Sequence, residues 1–449
     1  MAAEGTAARQ NERRGVGRAL LLTLASTILP GLAHLWAGRR VAGAILLVVS
    51  LGAFIGLGLA AGDLALIQRL VVQPRWLIAF GAVAIVVALL WAGVVLRSYL
   101  LVRPHRMGPL ARFASAAFVA TLCLVVAAPL GAAAGYSYVQ YDLVTSLFRD
   151  GKGGGAAPAE DPWEGRQRIN ILLLGGDAAR NRTGVRTDSM TVASVNVKTG
   201  NTVIFSLPRN MENVPLPRGK LRDTYPFGFD GLLNEVYEYV AEHPDMQPLG
   251  AADPAAQVLK ETIGGILGLE IDYYALVDMR GFAQLVDAMG GVMMNVERPI
   301  PYGLEGGVIE AGRRRLTGQE TLWYGRSRVG SDDYTRMGRQ KCVLGAIARQ
   351  ADPVKLLTRF QQLASATKRA VSTDIPQDVL PALMDLSTKV RGADIDSMPF
   401  VPKEGIWPGN PNWRRIRALT AEAIADSDRP KSGRGKKKKA KSLDETCPQ

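Results

Sequence analysis

The chain has 449 residues, 47% of them hydrophobic, and a formal net charge of +13 at pH 7, enough for two or three domains with a strongly basic balance. With only three histidines and three cysteines, a histidine-ligated zinc site, a serine triad and a disulfide framework are all disfavoured. The basic excess gathers beside apolar runs and in Lys436-Lys437-Lys438-Lys439-Ala440-Lys441, without interleaved aromatic residues, so no nucleic-acid partner is expected.

Four apolar runs open the chain, at 19–37, 41–62, 76–96 and 113–135, each near the ~20 residues that cross a bilayer core. With further runs behind it, the first is not expected to be a cleaved signal peptide. Arg97, Arg103, Arg106 and Arg112, with His105, mark a cytoplasmic loop, as do Arg39 and Arg40, whereas the connection holding Asp63 faces out. Everything after about residue 138 is then extracytoplasmic. Arg9, Arg13, Arg14 and Arg18 also favour the inside, which four full spans forbid. Pro30-Gly31 and His34 break the first run, so it reads as a re-entrant or interfacial hairpin beside three true spans. Four spans with an external N-terminus are the alternative.

Residues 139–167 form a linker, Gly- and Pro-rich from 149 onward. Three strands follow, at Ile169–Leu174, Met190–Val197 and Thr202–Leu207, the last two joined by a hairpin at Lys198–Asn201. Residues 211–256 read as an excursion with a short helix around Asn234-Glu235-Val236-Tyr237. A helix at 255–267 leads to the strand Tyr273–Val277, and Phe282, Leu285, Val286 and Met289 at helical spacing precede Gly290-Gly291 and the strand Val292–Val296. Thr317 and Glu320 form a capping box for a helix toward Arg326. A further helix starts near Asp332 and Asp333; its Met337, Val343, Leu344 and Ile347 point one way and Arg336, Arg339 and Gln340 another. The expected architecture is an extracytoplasmic α/β domain at 168–350, with a mixed sheet of five or six strands and helices on both faces. A helical extension at 351–425 and a disordered basic tail at 426–449 complete the reading. Cys123 lies in an apolar run; a Cys342–Cys447 bridge is conceivable outside the cell but not favoured.

Asp177 and Asp188 close two strand-linked turns, and two hard oxygen donors suit Mg²⁺, which completes its shell with water and phosphate. Local capping or ion pairing is the bland reading of either acid alone. Arg209 follows Pro208 at a strand end, where its fork can grip phosphate oxygens in bidentate fashion. Arg186, Arg326, Arg328, Arg336 and Gln340 join the same anion-binding group. No Gly-rich nucleotide loop or dinucleotide fingerprint accompanies them, so the phosphate donor is expected to be carried by the membrane.

These strings, Arg186-Thr187-Asp188-Ser189-Met190, Ser206-Leu207-Pro208-Arg209-Asn210, the core Val286-Asp287-Ala288-Met289-Gly290-Gly291-Val292, and Leu316 to Gln340, resemble the LytR-CpsA-Psr family over about residues 168–350. The resemblance implies a lipid tunnel between sheet and helices, which Phe282, Leu285, Val286 and Met289 would line unless they are ordinary core. It implies transfer of a glycopolymer from a polyprenyl-pyrophosphate carrier to a muramic acid 6-hydroxyl of peptidoglycan, with Asp177 and Asp188 as the acids of the Mg²⁺ site and Arg209, Arg326, Arg328 and Arg336 on the pyrophosphate. Asp188, Arg209, Arg326 and Arg328 are the catalytic candidates. Three features depart from the family pattern: Asn210 replaces an Asp, Ala178 and Ala179 displace an arginine to Arg180, and residues 211–250 are long. A non-catalytic envelope regulator and a pyrophosphatase acting on the same donor are the competing readings.

Overall fold

The computed structural model describes residues 2–104, 107–149, 162–177, 186–303, 306–330, 332–351, 370–429, 440–443 and 447; side chains at 2–14, 61, 64, 65, 68, 69 and 177 are not described. The chain divides into two compact units, Met1–Asp142 and Leu143–Gln449.

In the first unit, α1 (Ala2–Ile28) stops just before Pro30-Gly31, and a short α2 (Leu32–Trp36) turns back onto α3 (Arg40–Gly62). Gly31 makes that turn possible: its φ is +109°, and an added Cβ would stand 2.3 Å from the Gly43 carbonyl oxygen. Next come α4 (Leu64–Val71), α5 (Pro74–Val102) and α6 (Pro109–Leu147). Among the described residues, three helices are long and apolar enough to cross a membrane: Arg40–Ala60, Pro74–Val102 and Pro109–Leu147. Ser26 and Ser98 hydroxyls meet at 3.0 Å, and Trp91 Nε1 donates to the Thr27 carbonyl at 3.1 Å, so α1 packs on α5 through polar as well as apolar groups.

The second unit is built on a mixed sheet. Its first three strands, β1 (Arg168–Asp177), β2 (Arg186–Asn196) and β3 (Thr202–Leu207), are antiparallel neighbours, and β4 (Tyr273–Asp278) runs parallel to β1. Alternation along β1 separates two layers. Leu172 and Leu174 face a core shared with Val192, Phe205 and Leu207, covered by α8 (Val236–Glu242) and α9 (Pro254–Leu267), which follow a short α7 (Lys220–Thr224). Phe205 stacks on Phe400 at 6.1 Å, and burying a side chain of this kind contributes roughly 1.5–3 kcal/mol. Leu173 and Gly175 face the other way, toward α10 (Met279–Ala288), α11 (Gly318–Arg326) and α12 (Asp333–Gln350).

Several expectations need correcting. The sheet has seven strands among the described residues, not five or six. Val292–Val296 (β5) is not among them. It pairs antiparallel with Gly312–Leu316 (β8), whose three arginines hid it as a strand, and Ile300–Tyr302 (β6) with Gly307–Ile309 (β7) forms a separate hairpin. Beyond residue 350 the chain is not a helical appendage: β9 (Val371–Thr373) pairs with β4, and β10 (Ile395–Pro399) lies parallel to β3. The helices α13 (Leu380–Gly392) and α14 (Trp413–Asp428) accompany them, and Ile416, Leu419 and Ala423 of α14 enter the main core.

The tail also departs from the disordered reading. Lys441–Ser442 (β11) extends the sheet beside β10, Leu443 is buried, and Cys447 is disulfide-bonded to Cys342 on α12. Strands this short carry too little periodicity to be recognised, and a bridge spanning 105 positions leaves no local trace. Lys436–Lys439 lie outside the described residues.

Candidate functional site

A cavity of about 320 Å³ lies between the sheet and helices α10, α11 and α12. Three of the elements that line it, β4, α11 and α12, pass from apolar to polar residues, while α10 contributes only Met279, Phe282 and Leu285. Along β1 the lining passes from Leu173 to Gly175 and Gly176, along β4 from Ala275 and Val277 to Asp278, along α11 from Leu322 to Arg326, and along α12 from Ile347, Leu344 and Val343 to Gln340 and Arg336. The stretch of α12 involved spans about 16 Å at 1.5 Å per residue. One end is therefore hydrocarbon and the other cationic. Of the four residues named from the sequence on α10 and at its C-terminal cap, Phe282 and Leu285 line the cavity, while Val286 and Met289 belong to a second core with β5 and β8.

The polar end is assembled from three distant parts of the chain. On β2, the pairing with β1 shifts between Gly175 and Gly176: Ser189 faces Gly175, Thr187 faces Gly176, and Asp188 is left over. Such a bulge re-aims a side chain, and here Asp188 joins Ser189 in lining the cavity. Arg209, just past the end of β3, donates from Nη1 to Asp188 Oδ1 at 2.6 Å and from Nε to Asp333 Oδ2 at 3.2 Å. Its backbone is pinned in turn, because the Asn234 amide donates to the Arg209 carbonyl at 3.1 Å.

Helix α12 supplies the third part. Asp332 caps it, its Oδ1 accepting from the Thr335 amide at 2.7 Å, and the hydrogen bonds from Thr335 hold this carboxyl below its ordinary pKa. Asp333 is thereby released for other work: Arg336 Nη2 donates to its Oδ2 at 3.0 Å, and Arg328 Nε lies 3.6 Å from its Oδ1.

Arg336 is only 5% exposed, and its Nε has no hydrogen-bond partner among the described residues. Burial pushes its pKa down; Asp333 opposes that shift, and the neighbouring Arg209 and Arg328 add to it. Arg209 is shifted the other way: burial works against its charge, but the hydrogen bonds and charges of Asp188 and Asp333 outweigh it. Three guanidinium groups around two carboxylates leave an excess of positive charge, Arg336 carries it to the lining of the apolar cavity, and its orphaned buried N–H suits an anionic partner.

The predicted residues thus sort themselves. Asp188, Arg209, Arg328 and Arg336 are brought together. Arg326, exposed at the end of α11, and Gln340, whose Nε2 donates to the Gly325 carbonyl at 3.3 Å, line the cavity beside them. Arg186 is not part of the group: its Nε donates to Glu238 Oε2 at 2.7 Å, and it is absent from the cavity lining. Arg339, expected on the same side of α12 as Arg336, donates to the Ser327 carbonyl and lines a different recess. Asp177 ends β1, paired in register with Arg186, but its side chain lies outside the described residues, as do Ala178, Ala179 and Arg180. The residue that the motifs did not flag is Asp333, whose adjacency to the capping Asp332 was the available signal.

Among the described residues no cluster of three or more His, Cys, Asp or Glu side chains could hold a metal by itself. Asp188 offers a carboxylate oxygen at the cavity, a hard donor of the kind Mg²⁺ takes, although its Oδ1 is engaged by Arg209.

Residues 149–418 match the LytR_cpsA_psr family model. The polyisoprenyl-teichoic acid–peptidoglycan teichoic acid transferase TagU of Halalkalibacterium halodurans is 29% identical over 238 residues, covering 52% of this chain and 67% of the relative. The protein of the same name from Oceanobacillus iheyensis is 31% identical over 225 residues, 49% of this chain and 62% of the relative. Biofilm regulatory protein A of Streptococcus mutans is 26% identical over 251 residues, 53% of this chain and 58% of the relative. The chain thus spans between 58% and 67% of the length of these relatives. The crystal structure of B. subtilis TagV is similar over 57% of this chain and 96% of that chain, at 22% identity and a TM-score of 0.41.

Proposed function

The chain belongs to the LytR-CpsA-Psr family, and from that premise we propose that it moves a glycopolymer from a polyprenyl-pyrophosphate carrier onto a muramic acid 6-hydroxyl of peptidoglycan. The observation that carries this reading is the polarity of one cavity, apolar along its length and cationic at its mouth. A lipid diphosphate has the same division: a hydrocarbon chain for the space between Leu173, Leu285 and Leu344, and a diphosphate for Arg209, Arg326, Arg328 and Arg336. The names of the teichoic acid transferases among the relatives agree with it.

In this scheme the acceptor oxygen bonds to the phosphorus nearer the glycan, the bridging P–O bond breaks, and polyprenyl phosphate leaves. Asp188 is our candidate among the described side chains to receive the hydroxyl proton. Before substrate arrives, Asp188 and Asp333 hold the guanidinium groups in place and limit their mutual repulsion, so little reorganisation is needed when the diphosphate enters. Mg²⁺ held by Asp188 and Asp177 would supply further neutralisation of the diphosphate charge.

We place the domain outside the cell. Three spans beginning from a basic, cytoplasmic N-terminus leave it there, and the Cys342–Cys447 bridge suits an oxidising compartment. The test uses the purified full chain with lipid-linked glycan labelled in the sugar, Mg²⁺ and peptidoglycan fragments. Label appearing on the fragment together with polyprenyl phosphate is the expected result. Label released only as soluble glycan phosphate, with water as the acceptor, makes the protein a pyrophosphatase, and no turnover at all leaves the regulator reading.

A further inference from the structure

A second cavity, of about 660 Å³, opens at the opposite end of the same strands. Ile169 of β1 and Tyr273 of β4 line it, whereas Gly175 and Asp278 line the apolar cavity; along β4 the two are about 17 Å apart, at ~3.3 Å per residue. Its other walls come from α9, from the turn Leu269 to Asp272 that leads into β4, and from residues of the segments Pro162 to Arg166 and Pro376 to Val379. It shares no lining residue with the apolar cavity or the arginine cluster.

The charge of this cavity runs against that of the chain, whose formal net charge is +13. Glu164, Glu261, Glu270, Asp272 and Asp378 line it, with Arg166 and Lys260 as its cations. Both cations are committed. Arg166 is shared by three carboxylates, ion-paired with Asp272 and 3.6 and 3.7 Å from Glu270 and Glu164, and Lys260 Nζ donates to Asp374 Oδ2, outside the lining, at 2.6 Å. Among the described residues Glu261 is answered only by the neutral amide of Gln257, at 2.5 Å, and Asp378 Oδ1, shut off from solvent, has no hydrogen-bond partner. Burial raises the pKa of the Tyr273 hydroxyl, Arg166 opposes that rise, and Asp378, Asp374 and Glu164 add to it, as a negative field requires.

Among the described residues no group of three carboxylates could hold a metal ion, so a ligand that neutralises this surplus needs several charges set apart from one another. The rest of the wall says what should join them. Ile169, Leu269, Ile271 and Val379 give it apolar surface, and Trp163 and Tyr273 give it rings. Methylene segments suit the first, and ammonium groups suit both carboxylates and ring faces. We propose that the cavity binds a linear polyamine, with Glu164, Glu261, Glu270 and Asp378 receiving its ammonium groups and the aliphatic and aromatic residues its methylene segments. A concave site of this volume fits a small molecule better than the surface of a protein. Binding here is independent of the transferase reading, which is drawn from the other end of the sheet.

The experiment is equilibrium dialysis of the full chain, in detergent, against labelled spermidine. Saturable binding is expected, weaker as salt rises, whereas fully N-acetylated spermidine, which keeps the length and loses the charge, should not bind. The double variant Glu261→Gln/Asp378→Asn changes charge with almost no change of shape and should lower the affinity about tenfold, the ratio for losing one charge-assisted contact. Gly265→Phe tests the cavity without removing a charge. A Cβ at Gly265 of α9 would meet nothing within 4 Å, so the ring has room to occupy the space, and spermidine binding should be lost while the melting temperature holds. Unchanged affinity in either variant, shown to be folded by its melting curve, overturns the proposal. Displacement of spermidine by an equal charge of Mg²⁺ would mean a diffuse layer of counter-ions and overturns it too. Tighter binding of a trilysine peptide than of spermidine would make this a peptide site and overturn the polyamine assignment.

Discussion

Asp333 Oδ2 lies 3.2 Å from Arg209 Nε, across 124 positions of sequence, and 3.0 Å from Arg336 Nη2 one turn along its own helix. One carboxylate therefore ties the end of β3 to the start of α12 and sets the spacing of two guanidinium groups. Asp333→Ala should lower transfer about 10- to 150-fold, the range for losing a charge-assisted hydrogen bond beside a buried cation. Asp333→Asn should recover part of that rate, because an amide oxygen still accepts from Arg336. Turnover at the wild-type rate in folded Asp333→Ala protein would remove it from the site.

Arg209→Ala takes away a forked cation whose two donors already hold Asp188 and Asp333. The expected loss is again about 10- to 150-fold in affinity for the lipid diphosphate. Arg209→Lys should restore only a fraction, since an ammonium is a point charge without the planar fork. Full rescue by lysine would show that charge alone matters at this position.

Asp188→Ala is expected to change the form of the metal titration as well as the rate. If Asp188 supplies an oxygen donor, the variant should need more Mg²⁺ to reach half its maximal turnover. Asp188→Ala protein that keeps the wild-type Mg²⁺ titration while turning over slowly would confine this residue to holding Arg209.

Leu344 stands half-buried on the wall of the apolar cavity. Leu344→Trp fills part of that space without touching the arginines. It should raise KM for a long-chain polyprenyl donor far more than for a short-chain analogue. Equal effects on both chains would mean that the hydrocarbon lies elsewhere.

The Cys342–Cys447 bridge closes a loop of 105 positions. Its loss in Cys342→Ser, or on reduction, should lower stability by about 2–4 kcal/mol, seen as a fall in melting temperature. An unchanged melting curve would indicate that β11 and Leu443 hold the segment unaided.

What could be read from the sequence was whatever is local. Pro208-Arg209 announces a strand end with a projecting cation, Thr317 and Glu320 announce a helix start, and both stand where the pattern put them. The order of polar and apolar residues on α12 was visible too, although Arg339 turned out to serve the Ser327 carbonyl. Arg186, two residues from Asp188 in sequence, turns to Glu238 instead of the cavity. The bulge that aims Asp188 into the cavity is a property of the pairing with Gly175 and Gly176, which no single segment encodes. Glu238, the partner of Arg186, comes from an excursion whose docking is likewise non-local. The same reason hid β9, β10 and β11, each recognisable only once its neighbour is in place.

The parallel pairing of Thr202 with Ile395 has a bearing on how such a domain is made. Until residue 395 has been delivered, β3 presents a row of bare amides and carbonyls, an edge open to pairing with other chains. Contacts between segments this far apart form late and slowly. A growing chain of this design would thus have its β2–β3 hairpin ready long before its sheet could be sealed. Chaperones that shield strand edges would meet it during that interval, and the arrival of Ile395 to Pro399 beside β3 would end it.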